Sequence, residues 1–134
     1  MSENPASELQ DRIDTIEEAY EFMLAYAAQG REREDESESG GIRAFLANAT
    51  KALDGLHQIA EERAGSVAAA DQWADYLAIL KSDAARAQTL ISFTLSQPIL
   101  NSELIDNLNA TNHIRTILTD IFLLDSALDA HEKS

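Results

Sequence analysis

A chain of 134 residues is the size of one ordinary domain, long enough to remove roughly two thirds of its unfolded surface from water without staples. It has no cysteine, which excludes disulfides, thiolate metal sites and cysteine nucleophiles. With 24 acidic against 10 basic residues the formal net charge is −14, which argues against binding to nucleic-acid phosphates or anionic lipid, since both require basic patches.

The acidity is uneven. Residues 1–41 carry 12 acids and 3 bases, whereas residues 42–134 carry 12 acids and 7 bases. The opening MSENPASELQDR has neither a basic nor an apolar leader pattern, and a run of about 18 apolar residues, the least that a membrane span needs, occurs nowhere. The sequence therefore predicts a cytoplasmic chain without a membrane span.

Glycine and proline are scarce, alanine and leucine abound, and no alternating strand pattern stands out, so helix is expected nearly throughout. Leu9, Ile13, Ile16, Tyr20, Met23 and Ala27 step by 4, 3, 4, 3, 4, which predicts a first helix over about 6–29, stopped by Gly30. Residues 30–41, with REREDESESGG at 31–41, read as a flexible acidic linker: Glu32 and Glu36 repel at helical spacing, and the serines and the Gly40-Gly41 pair favour a turn.

Ile42, Leu46, Ala49, Leu53, Leu56 and Ala60 repeat the seam and predict a second helix over 42–64, with Gly65 as its stop. Trp73, Leu77, Leu80, Ala84, Ala87, Ile91 and Leu95 predict a third over 67–97, ended by Pro98. Ala110, Ile114, Ile117, Ile121, Leu124 and Leu128, flanked by Leu104, Leu108, Leu118 and Phe122, predict a fourth over 102–131, capped by Asn101 or Ser102. Short connections at 65–70 and 97–101 make neighbours antiparallel, so the expected fold is a single all-α domain with frayed termini, an antiparallel four-helix bundle with up-down-up-down topology favoured.

Chemistry-bearing patterns are sparse. Asp54, His57 and Glu61 share one side of the second predicted helix and are the only candidate metal ligands. A carboxylate-bridged di-iron bundle needs a second Glu-x-x-His pair, and the residues three before His113 and His131 are Ala110 and Leu128, so no metal site is expected. The chain resembles phosphorelay domains in size and expected class. His57, however, is followed by Gln58, Ile59, Ala60 and Glu61, where those domains place lysine and glycine, and an acid there would repel a phosphoryl group. No nucleophile elbow or phosphate-binding glycine loop is present.

Asp106, Asn109, His113, Thr116 and Asp120 line the side of the fourth helix away from its isoleucines and read as its wet face. Tyr20, Phe22 and Tyr26 are expected to cluster with Trp73 and Tyr76 at one end of the bundle. The third helix has more apolar surface than one seam uses, and Trp73, Tyr76, Ile79, Leu90 and Phe93 are the candidate partner-binding residues. If the third and fourth helices outrun the first two, their apolar ends need a cover, which a symmetric dimer supplies. These features predict a noncatalytic interaction or adaptor protein without a cofactor, homodimeric, that binds a protein partner through the third and fourth helices. The alternatives are an acidic inhibitor or decoy of a basic protein site, and a metal-binding or enzymatic bundle built on Asp54, His57 and Glu61.

Overall fold

The computed structural model describes residues 4–34, 41–67 and 73–133, the Lys133 side chain excepted. Among these residues there are six helices and no strand: α1 (Pro5–Ala27), α2 (Ile42–Leu53), α3 (Leu56–Gly65), α4 (Ala74–Leu95), α5 (Ser102–Ala110) and α6 (His113–Lys133). The all-helical class agrees with the sequence. The expected count of four does not, because two of the four expected helices are each broken in two.

The first break is at Gly55, whose φ of +75° ends the α2 hydrogen-bond ladder and starts α3. Only glycine takes this left-handed backbone without strain. The second is at Asn112, the one non-glycine residue described with positive φ, at +63°. Asparagine is the side chain that best tolerates that region. Both breaks keep the seam in step. Leu53 and Leu56 are both buried across the first, and Leu108 and Ile114 across the second, so apolar periodicity hid the interruption.

α1 is capped by Asn4, whose side chain accepts a hydrogen bond from the Ser7 N–H at 2.8 Å, with Pro5 in the first helical turn. Its buried face starts on the expected seam, Leu9, Ile13 and Ile16, then slips by one residue to Ala19 and Tyr26. A straight helix drifts about 20° per heptad against a strict 3.5 repeat, which accounts for the slip. α4 runs unbroken through Ser82 and Asp83 but has 22 residues, beside 23 in α1. The overhang that motivated a dimer is therefore not seen for α4.

One hydrogen-bond network ties together four chain segments. The Tyr26 hydroxyl at the end of α1 donates to the Leu100 carbonyl at 2.5 Å, and the Ser102 hydroxyl donates to the Tyr26 carbonyl at 2.7 Å. Ser102 also exchanges backbone bonds with Arg31: its N–H donates to the Arg31 carbonyl at 2.9 Å, while its Oγ accepts from the Arg31 N–H at 2.8 Å. Glu34 accepts from the Leu100 N–H at 2.8 Å and pairs closely with Arg43 at the start of α2. The Arg43 guanidinium in turn donates to the carbonyls of Leu95, the last residue of α4, and of Gln97, just past it, at 3.0 Å each. The described part of the acidic linker is thus fastened to the α4–α5 connection, and residues 35–40 lie outside the described residues.

Because the end of α1 meets the start of α5 and the start of α2 meets the end of α4, the aromatic side chains divide between opposite ends. Phe22 stacks on Phe45 with ring centroids 4.1 Å apart, whereas Trp73 packs against His131 at 5.4 Å. The expected single aromatic cluster is corrected accordingly: the chain has returned to its first end by the time it reaches Trp73.

Two stability predictions follow from this architecture. Gly55→Ala, forced into the left-handed region with its Cβ 3.3 Å from the Gln58 side-chain oxygen, lowers unfolding free energy by about 1–2 kcal/mol in urea melts. Arg43→Ala removes the partner of Glu34 and a donor to the Leu95, Gln97 and Pro98 carbonyls and lowers it by about 2 kcal/mol at pH 7. Burial alone would raise the Glu34 carboxyl, but the hydrogen bonds from Arg43 and Leu100, with the Arg43 charge, bring it below its ordinary 4.5. The Glu34 contribution is therefore present above pH 4.5 and lost as pH falls through the lower folded value, so the gap between wild type and Arg43→Ala narrows in acid.

Candidate functional site

Residues seven apart on a helix lie within about 20° of one another, and α4 resolves into three such rows. Trp73, immediately before the helix, with Leu80, Ala87 and Thr94, is buried, Trp73 being 8% exposed. Tyr76, Asp83 and Leu90 are half-buried. Ile79, Arg86 and Phe93 are exposed, Ile79 at 57% and Phe93 at 61%. The five residues singled out from sequence are thus divided by depth: Trp73 belongs to the core, Tyr76 and Leu90 to an inner flank, and Ile79 and Phe93 to the surface.

The inner flank faces α6. The Tyr76 hydroxyl donates to the Asp120 carbonyl at 2.5 Å, and the Asp83 charge acts on the Asp120 carboxyl. Further along, Leu90 and His113 line one groove with Ser82, Ala85, Arg86 and Thr89, of about 370 Å³. The small side chains of α4 therefore floor an open channel along the α4–α6 seam. Leu123, 61% exposed, is three residues after Asp120 and therefore on the same side of α6. Phe122 is exposed as well but falls on the other flank of its helix.

Electrostatics at the seam are unusual for an exposed helix pair. Burial raises the Asp120 carboxyl, and the neighbouring Asp83 carboxyl raises it further, to about 7. Burial likewise raises the Tyr76 phenol, with Asp120, Asp125 and Asp83 adding to it. Asp120 Oδ2 is buried without a donor among the described residues, and the nearest cation to Asp83 is Arg86, whose guanidinium is 3.8 Å away and mostly in solvent. The expected wet stripe on the fourth helix is accordingly divided: Asp106 and Asn109 are on α5, while His113 and Asp120 turn toward α4.

At the opposite end, α1, α3 and α6 border a groove of about 470 Å³ in which Arg63 pairs with Glu132 beside Asp125. Burial raises the Asp125 carboxyl and the Arg63 charge opposes it. Asp54, His57 and Glu61 are not assembled. The break at Gly55 puts Asp54 at the end of α2, where its carbonyl accepts from Arg12 at 2.5 Å, and places the other two on α3. Among the described residues no group of three or more His, Asp or Glu is placed to hold a metal ion.

No helix among the described residues is long and apolar enough to cross a membrane. Comparison with models of protein families, with curated proteins and with solved structures finds no match for this chain.

Proposed function

We propose that this chain is a noncatalytic cytoplasmic interaction protein that docks a protein partner on the outer side of the α4–α6 seam. The observation that carries the reading is the exposure of Ile79 and Phe93 on one row of α4 and of Leu123 on α6, the two helices between which the groove lies. Ile79, Phe93 and Leu123 are each more than half exposed, and Ser82, Ala85, Thr89, Leu90 and His113 line a groove between α4 and α6 that could admit side chains from another surface. Exposed apolar groups gathered on one pair of helices, rather than scattered singly, are the usual mark of an interaction face.

The architecture favoured for this role is four antiparallel rods in up-down-up-down order, with α2–α3 forming one rod and α5–α6 another. Its support is that α2 starts beside the end of α4 and α5 starts beside the end of α1. A second reading, pairing of two copies through the same strip, is favoured by the same exposed side chains, although two chains of net charge −14 repel each other.

The double variant Ile79→Glu with Phe93→Glu tests the face. Both positions are solvent-facing, so the fold is expected to keep its helicity and to lose no more than about 1 kcal/mol of stability, while partner retention in affinity capture falls at least tenfold. Retention equal to wild type rejects the assignment. Light scattering of the same pair separates the two occupants, since the second reading requires a mass of twice 14.7 kDa in wild type that reverts to a single chain in the variant.

A further inference from the structure

We propose that the partner on this face, a reading that rests on the docking role given above, presents an acidic amphipathic segment. Its carboxylate enters the α4–α6 groove at Arg86 and His113, while apolar side chains on either side of it pack on Ile79 and Phe93. The grooves of the molecule differ in their linings. One is bordered by Asp125, Asp129 and Glu132, a second by Glu8, Asp11 and Glu18, and a third by Glu132. In the α4–α6 groove no lining residue is acidic: Arg86 and His113 stand beside the hydroxyls of Ser82 and Thr89, with Ala85 and Leu90 as apolar wall. A chain of net charge −14 thus has a groove whose lining offers hydrogen-bond donors and apolar surface but no carboxylate.

The local charge balance agrees in sign. Residues 76–96, on α4 and just past it, and 113–124, the first part of α6, carry three bases and two acids, whereas the other residues of the chain carry seven and 22. The Arg86 side chain is 64% exposed, and its ion pair with Asp83 spans 3.8 Å, beyond hydrogen-bond reach. Its planar fork of donors can therefore receive a carboxylate. His113, the first residue of α6, adds a ring N–H to the same groove. One guanidinium matches one carboxylate, whereas a phosphate polymer needs a row of cations. Acids elsewhere on the chain repel such a segment at long range, but salt screens charges more than about 8 Å apart, so the groups in contact decide.

Spacing defines the segment. Ile79, Arg86 and Phe93 are seven residues apart on the exposed row of α4, so an apolar side chain stands about 10 Å along the helix on either side of the guanidinium. A partner helix laid along α4 matches this row with an apolar residue, a carboxylate seven positions on and a second apolar residue seven beyond that. The same row disfavours a second copy. A two-fold axis that lays α4 against its own copy across this row brings Arg86 against Arg86, a like-charge contact that opposes pairing.

The test titrates the full, isotope-labelled chain by NMR with two helical peptides: one with leucines seven residues before and after a central glutamate, and its twin with glutamine at the centre. The glutamate peptide is expected to shift the backbone amides of residues 82–90 and 113–115 and to bind at least about fivefold tighter than its twin. Arg86→Gln, a change at a solvent-facing side chain, is expected to keep the helical spectrum and remove that preference. Equal binding of the two peptides to wild type, a preference that survives Arg86→Gln, or shifts centred on α1 would each overturn the acidic occupant. So would a doubled mass of wild type in light scattering, which makes the occupant a second copy. If neither peptide binds while partner capture is still lost in the Ile79→Glu, Phe93→Glu double variant, the docking face stands and the acidic segment is rejected. Capture that survives the double variant rejects the face itself.

Discussion

The fold hangs on a single, partly buried circuit of hydrogen bonds in which Tyr26, Ser102, Arg31, Glu34 and Arg43 join the end of α1, the start of α2, the end of α4 and the start of α5. Helix seams alone do not choose a topology, because apolar stripes pack against one another in several orders. The circuit does choose. Several of its bonds satisfy a carbonyl or amide at a helix end, the Leu95 carbonyl and the Ser102 N–H among them, so those chain ends can converge with fewer polar groups left bare. Once they are fixed, the positions of Trp73 and His131 at the far end, and the pairing of α4 with α6, follow from helix length.

The α4–α6 pairing then sets up a contrast that bears on function. Across most of the molecule, neighbouring helices meet through Ile, Leu and Ala and leave nothing to titrate. At this seam a tyrosine and two aspartates stand where apolar packing would be simpler, next to the largest exposed apolar side chains of α4. Two half-buried carboxyls with little cation beside them are costlier to stability than leucines would be, and local rules are broken in this way chiefly at functional sites. The conjunction of an unsatisfied polar pair with an open apolar strip is what separates this face from the α1–α2 face, where Phe22 and Phe45 are stacked.

Much of the architecture was legible in the sequence. The seams of α1 and of the second and third expected helices predicted the core closely, and the stops at Gly30 and Pro98 were read from local chemistry. The breaks at Gly55 and Asn112 were missed because the apolar rows stay in phase across them, although Asp54-Gly55 is itself a turn dipeptide and carried the signal. The site was only half legible. The surplus of apolar surface expected on the third helix appears as the exposed Ile79 and Phe93 of α4, but depth separates Trp73 from Ile79, and periodicity over one helix does not report which flank a second helix covers. The proximity of Asp83 to Asp120 depends on the register of two helices far apart in sequence, and no spacing rule encodes it. The one local hint was an aspartate standing between Tyr76 and Leu90 in an otherwise apolar row.

The central claim, that the outer strip of the α4–α6 seam is the working face of this protein, is tested most directly by site-specific photocrosslinking in the cells that make it. A photoreactive phenylalanine analogue would be placed at position 79 or 93 and, as a control of similar exposure, at Leu24 on α1. The account predicts one discrete adduct from positions 79 and 93 and none from position 24, with the adduct mass reporting whether the occupant is another protein or a second copy. Adducts that form equally from position 24, or only from there, would contradict it.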